Sequence, residues 1–134
     1  MAKRRRGSAR IRRSTGDSFE RLVDRALAGI PSPFREHLRE VAIVIEDEAS
    51  LEQLRENGLD DDDALYGLYE GVPRTEWGAE LAIVANKISL FRIPLEEDFP
   101  NPDDLAAEVR ATVIHELAHH LGIDDDRLDE LGVG

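Results

Sequence analysis

The chain has no cysteine, which excludes disulfides, thiolate metal ligands and cysteine nucleophiles, and leaves its four histidines and many carboxylates as the available metal donors. Aromatic residues make up only 5% of the 134 residues, and Met1 is the only methionine. No apolar run approaches the roughly 18 residues needed to span a bilayer. The basic N-terminus is not followed by a signal-peptide apolar stretch, so a cytoplasmic protein with no membrane association is expected. The length suits one domain with a single core and leaves no room for a second catalytic lobe.

Residues 1–16 contain no acid at all, yet they hold Lys3, Arg4, Arg5, Arg6, Arg10, Arg12 and Arg13, a charge of +7. The rest of the chain sets 10 of the 17 basic residues against all 29 acids, a charge of −19. So polar a tail cannot fold alone and is expected to be disordered, with the folded domain occupying residues 17–134. Besides plain solvation, three contacts are open to it: nucleic acid, an acidic partner, or the acidic body itself. The body would repel phosphates, so nucleic acid can be a partner of the tail only.

Phe19, Leu22, Val23, Ala26, Leu27 and Ile30 recur at helical spacing, predicting a helix over about residues 18–29. Ser32-Pro33 predicts a second, shorter helix with Ser32 as cap. Val41-Ala42-Ile43-Val44-Ile45 has the pattern of a buried strand and is expected at the centre of the sheet. A short helix over residues 50–57 is expected to end at Gly58, before a charged loop at residues 60–63. Leu65-Tyr66-Gly67-Leu68-Tyr69-Glu70-Gly71-Val72-Pro73 follows as a strand or loop held by tyrosine packing. The β-like runs at residues 81–84 and 88–93 suggest a hairpin, with Pro94 ending the second. Asn101-Pro102-Asp103-Asp104 then caps a long helix reaching about Leu121, followed by a short helix over residues 126–131. This order predicts an α+β domain with a small mixed or antiparallel sheet.

The most informative stretch is His115-Glu116-Leu117-Ala118-His119, followed by Gly122 and Asp124-Asp125-Asp126. On a helix, residues four apart differ by about 40° and about 6 Å of rise, so His115 and His119 project from one face and can share one metal ion. Glu116 falls beside them, placed to take a proton from water at the metal. Gly122 can adopt the left-handed conformation that turns the chain back. In an HExxHxxGxxH spacing the last ligand falls at Asp125, whose carboxylate is an acceptable zinc ligand beside two imidazoles. Asp124 and Asp126 are alternatives as ligand or as acceptors for a ligand imidazole. His120, about 140° from His115, is expected to face the other side.

With these residues in place, the chain resembles the bacterial zincin-like metallopeptidases, the mini-zincins, from about residue 18 to residue 132. The likeness rests on Phe19-Glu20-Arg21-Leu22-Val23-Asp24, the residue 41–48 strand, the residue 65–73 segment, Ile88-Ser89-Leu90-Phe91-Arg92 and, most specifically, residues 115–128. The resemblance implies a minimal zincin-like fold in which the metal-site helix packs on a small sheet whose edge strand lies beside the cleft. It further implies zinc held by His115, His119 and Asp125, Glu116 as general base, and a peptide or protein substrate. If Ile88, Ser89, Leu90 and Phe91 form an edge strand, they are the expected backbone-pairing site for that substrate. The chain has no Met-turn, and no tyrosine follows the motif, so an oxyanion-stabilising hydroxyl would have to come from Tyr66 or Tyr69. Two other functions compete: a non-catalytic metal-binding or regulatory module on a zincin scaffold, and a YbeY-like metal-dependent endoribonuclease. The latter shares the ligand spacing but lacks the glutamate after the first histidine and supplies a third histidine.

Overall fold

The computed structural model describes residues 4–6, 16–71, 86–122 and 125–130. Helix α1 (Gly16–Ala28) buries Phe19, Val23 and Ala26, and Ile30 just beyond it, all at most 3% exposed, because the three- and four-residue spacing puts them on one stripe. The second predicted helix is α2 (Phe34–His37), continued by a 3-10 turn, Leu38–Glu40. Pro33 takes its N-cap position with no side-chain cap, and the Ser32 hydroxyl instead donates to Glu36 Oε1 at 2.6 Å. Helix α3 (Leu51–Glu56) opens with a reciprocal box: Gln53 N–H donates to Ser50 Oγ, and Ser50 N–H to Gln53 Oε1. It is followed by Gly58 at φ +72°, in the left-handed region.

The main sheet has three strands in the order β2 (Val41–Glu46), β5 (Asn86–Phe91), β4 (Gly67–Glu70). It is mixed: β2 runs parallel to β5, pairing Ile43 with Ile88, and β4 runs antiparallel, pairing Gly67 with Leu90. The central strand is therefore β5, where the sequence had suggested β2. Ile88, Ser89, Leu90 and Phe91 are fully buried, whereas β2 is only half covered along most of its length. An apolar β-branched run marks burial but not strand order, which long-range pairing decides. Residues 81–84, expected to form one arm of a hairpin, lie outside the described residues. A separate two-stranded ribbon joins β1 (Arg4–Arg6), within the basic segment, to β3 (Asp63–Leu65) in antiparallel register.

After Phe91 the chain turns directly into α4 (Arg92–Asp98), so the strand ends three residues before Pro94, which sits in the helix's first turn. Arg92 fastens this corner, donating to Asp47 at 2.9 Å and to Glu96 at 2.8 Å. Helix α5 (Pro102–His120) is capped as predicted, the Asn101 side chain accepting from the N–H groups of Asp103 (2.8 Å) and Asp104 (3.2 Å). Its Leu105, Val109, Val113 and Leu117 form one stripe, at most 6% exposed. Burying each contributes about 1.5–3 kcal/mol.

This stripe packs on Ile88 and Leu90 of the sheet and on α1, in one core. A smaller cluster of Leu54, Leu59, Leu65, Leu68 and Phe91 lies on the sheet's other face. The Arg25 guanidinium reaches Pro102 O, so the C-terminal end of α1 meets the N-terminal end of α5. A final helix, α6 (Asp125–Glu130), follows the turn at Gly122. Among the described residues no helix is long and apolar enough to cross a membrane.

The seat of β4 on α5 depends on Gly67: a Cβ there would lie 2.6 Å from Thr112 Cγ2 and 3.1 Å from Ser89 O. Gly67→Ala is expected to destabilise the fold by about 1–3 kcal/mol in chemical denaturation, as for overpacked cores. Adding Thr112→Ser, which removes that methyl, should recover most of the loss. Additive losses in the double variant would mean that this contact does not set the strand–helix distance.

Candidate metal centre

The last two turns of α5 carry His115, Glu116 and His119. His115 is half-buried, and its Nδ1 lies 2.8 Å from the carbonyl of Ala111, one turn back. A carbonyl only accepts, so the proton sits on Nδ1 and the lone pair on Nε2, the tautomer of a metal-binding imidazole with an oriented ring. His119 is exposed, one turn on. Both stand at the C-terminal end of the helix, where the negative end of the dipole favours a cation.

Gly122, at φ +77°, turns the chain after the helix as the motif requires. The main chain of Asp125 opens α6, but its side chain and the whole of Asp124 lie outside the described residues. Among the described residues no group of three or more His, Cys, Asp or Glu is gathered around a point that could hold an ion. The described donors, two imidazoles four residues apart with one tautomer fixed, suit a zinc-type ion that needs a third protein ligand.

Glu116 faces inward, 2% exposed. Its Oε1 accepts a hydrogen bond from the main-chain N–H of Tyr69 on β4 at 2.7 Å. Burial pushes its pKa up, opposed by that hydrogen bond and by the neighbouring His119 and His115. A carboxyl group held near imidazoles with its pKa raised is suited to take up and return a proton.

The strand beside this carboxylate is β4. Phe91 N–H donates to Tyr66 O at 2.9 Å, and with Gly67 opposite Leu90, antiparallel alternation points the main-chain groups of Leu68 and Glu70 at β5. Those of Gly67 and Tyr69 point away from it, which is why the Tyr69 N–H is available to Glu116. Among the described residues no strand pairs with that edge of β4. The expectation that Ile88, Ser89, Leu90 and Phe91 form a substrate-pairing edge is corrected: β5 is paired on both sides and those residues are fully buried.

The two tyrosines diverge. The Tyr66 hydroxyl donates to Asp98 Oδ2, and its ring meets Phe99 edge-on at 5.6 Å, which directs it toward the α4–α5 link. Tyr69 lies beside the site, its ring stacked on His120 at a centroid distance of 4.3 Å and 24° between planes. Burial and the nearby Glu40 raise its pKa. His120 thus packs on Tyr69 of the strand that holds Glu116, on a different face from His115, as its offset around the helix predicts. Glu116 and His120 are themselves four residues apart, so the spacing that pairs His115 with His119 also signals this second, strand-facing pair.

A model of the zincin-like metallopeptidase family matches residues 38–134. Among solved structures, a conserved hypothetical protein from Thermo thermophilus is 28% identical, with a TM-score of 0.55, covering 81% of this chain and 94% of that one. A comparison with curated proteins finds no match.

Because burial holds the pKa of Glu116 above its ordinary 4.5, the folded chain binds that proton more tightly than the unfolded chain does. Metal-free wild type should therefore lose stability relative to Glu116→Gln as pH rises from about 4.5 through the raised folded value, then run parallel to it. Urea melts with a chelator present across this range test the point. Parallel curves throughout would show that the buried carboxyl carries no such cost.

Proposed function

The chain belongs to the zincin-like metallopeptidase family, and on that premise we propose that it is a zinc-dependent peptidase with Glu116 as general base and His115, His119 and Asp125 as the metal ligands. The observation that carries this reading is the buried Glu116 carboxylate, flanked by two imidazoles and tied by Tyr69 N–H to the edge strand. Zinc held by His115, His119 and Asp125 would supply a Lewis acid able to polarise a carbonyl and to lower the pKa of water toward neutrality.

The chain's own residues do the rest. Ala111 O holds the His115 ring with its lone pair on Nε2. The Tyr69 N–H fixes the Glu116 carboxylate, which takes a proton from the attacking water and returns it to the leaving amine. The outward main-chain groups of Gly67 and the Tyr69 carbonyl offer an extended peptide a pairing edge next to that carboxylate, by strand addition. Of the two tyrosines, Tyr69 is the one beside the motif and is the candidate for steadying the oxyanion. The acidic body favours neutral or basic peptides as substrates.

Elemental mass spectrometry of the tag-free chain should find about one zinc per chain, lost in His115→Ala and His119→Ala and weakened in Asp125→Ala. Glu116→Gln should keep the metal and lower hydrolysis of a quenched fluorescent peptide library by about 100-fold or more. A wild-type chain that takes up no zinc, or a Glu116→Gln variant that cleaves as well as wild type, would overturn the reading.

A further inference from the structure

The arginine strand β1 pairs with the strand that follows an acidic loop. Its register places Arg6 opposite Asp63, Arg5 opposite Ala64 and Arg4 opposite Leu65. The loop leading into β3 is Asp60-Asp61-Asp62-Asp63. From the body, Arg55 holds Asp61 through two hydrogen bonds, at 3.1 and 3.0 Å. Asp63 is turned inward, 7% exposed, and accepts the Asp60 N–H at 3.0 Å. The Asp60 and Asp62 carboxylates are exposed, on the turn that feeds the strand carrying β1.

A three-residue, two-stranded ribbon has few main-chain bonds and is marginal by itself. Charge therefore decides how firmly β1 is held, and exposed charge is screened by salt and open to competition from another anion. We propose that the arginine-rich segment is a nucleic-acid-binding arm, held in cis on the β3 edge by the acidic loop and released when phosphates replace those carboxylates.

The chemistry selects nucleic acid over a lipid surface. Residues 1–15 contain six arginines and one lysine but no aromatic residue, and Ile11 is the only branched aliphatic. Guanidinium forks suit phosphodiesters, whereas interfacial anchoring needs an apolar face. The remainder of the chain, at −19, repels a polyanion, so the arm is the only strongly basic part that can engage one. While it is clasped, apparent affinity is lowered in proportion to the fraction of time the arm is open. The loop thus works as an internal competitor.

The test is fluorescence anisotropy of the full chain with a labelled DNA duplex across a salt series, beside hydrogen exchange of the residue 63–65 amides. Asp60→Asn with Asp62→Asn should bind about 3–10-fold tighter than wild type. Glu20→Gln with Asp24→Asn on α1, the same charge change elsewhere, should gain less. Arg4, Arg5 and Arg6→Ser should weaken binding, flatten the salt slope by about 2–3, and abolish the benefit of the loop change. Saturating DNA should speed exchange at residues 63–65. Equal gains in the two acid-neutralised variants, exchange unchanged by bound DNA, no DNA binding by wild type or loop variant, or binding to phosphatidylserine vesicles alone would each overturn the proposal.

Discussion

The contact on which the rest turns is the hydrogen bond from Tyr69 N–H to Glu116 Oε1 at 2.7 Å. It joins the edge of the sheet to the motif helix, and it forms only because β4 lies unusually close to α5. Gly67 permits that approach, since the space a Cβ would need is taken by Thr112 Cγ2. The antiparallel register with β5 then decides which main-chain groups of β4 point outward. Moving the strand by one residue would send the Tyr69 N–H into the sheet and leave a buried carboxylate without this donor, a loss of about 1–3 kcal/mol or more for a charged group.

The two faces of the C-terminal part of α5 divide the work. His115, half-buried, and His119, exposed, stand at the end of the helix whose dipole favours a cation. Glu116 and His120, one residue later in each case, meet β4 and Tyr69. One helix thus carries an imidazole pair four residues apart and turns a carboxylate and a ring to the strand. Its other side is the apolar stripe that anchors it in the core. A site so placed is built mostly from one regular element, which keeps its first two donors rigid without a second lobe.

Electrostatics set the boundary between the body and its basic segment. An acidic domain with an arginine-rich extension is two opposite polyions on one chain, and the β1–β3 ribbon is where they meet. The candidate site on α5 and this ribbon belong to different parts of the architecture. The first depends on burial and main-chain hydrogen bonds. The second, in the clasp we propose, depends on exposed charge and therefore on the ionic surroundings.

Much of this was legible in the sequence because it is local. The cap at Asn101, the helical stripes of α1 and α5, the turn at Gly122, the α+β class and the placing of His115 and His119 one turn apart on a helix all follow from residues within a few positions of one another. Tertiary structure decided what depends on partners distant in sequence. It put β5 and not β2 at the centre, so the residues expected to receive substrate are buried and the outward-facing edge passes to β4. It turned Tyr66 toward Asp98 and Tyr69 toward His120, although they sit three residues apart on the same segment. Periodicity reports which residues avoid water and how they lie along one element. Strand order, and the neighbour each outward main-chain group meets, depend on packing between elements brought together from 47 positions apart, as Tyr69 and Glu116 are.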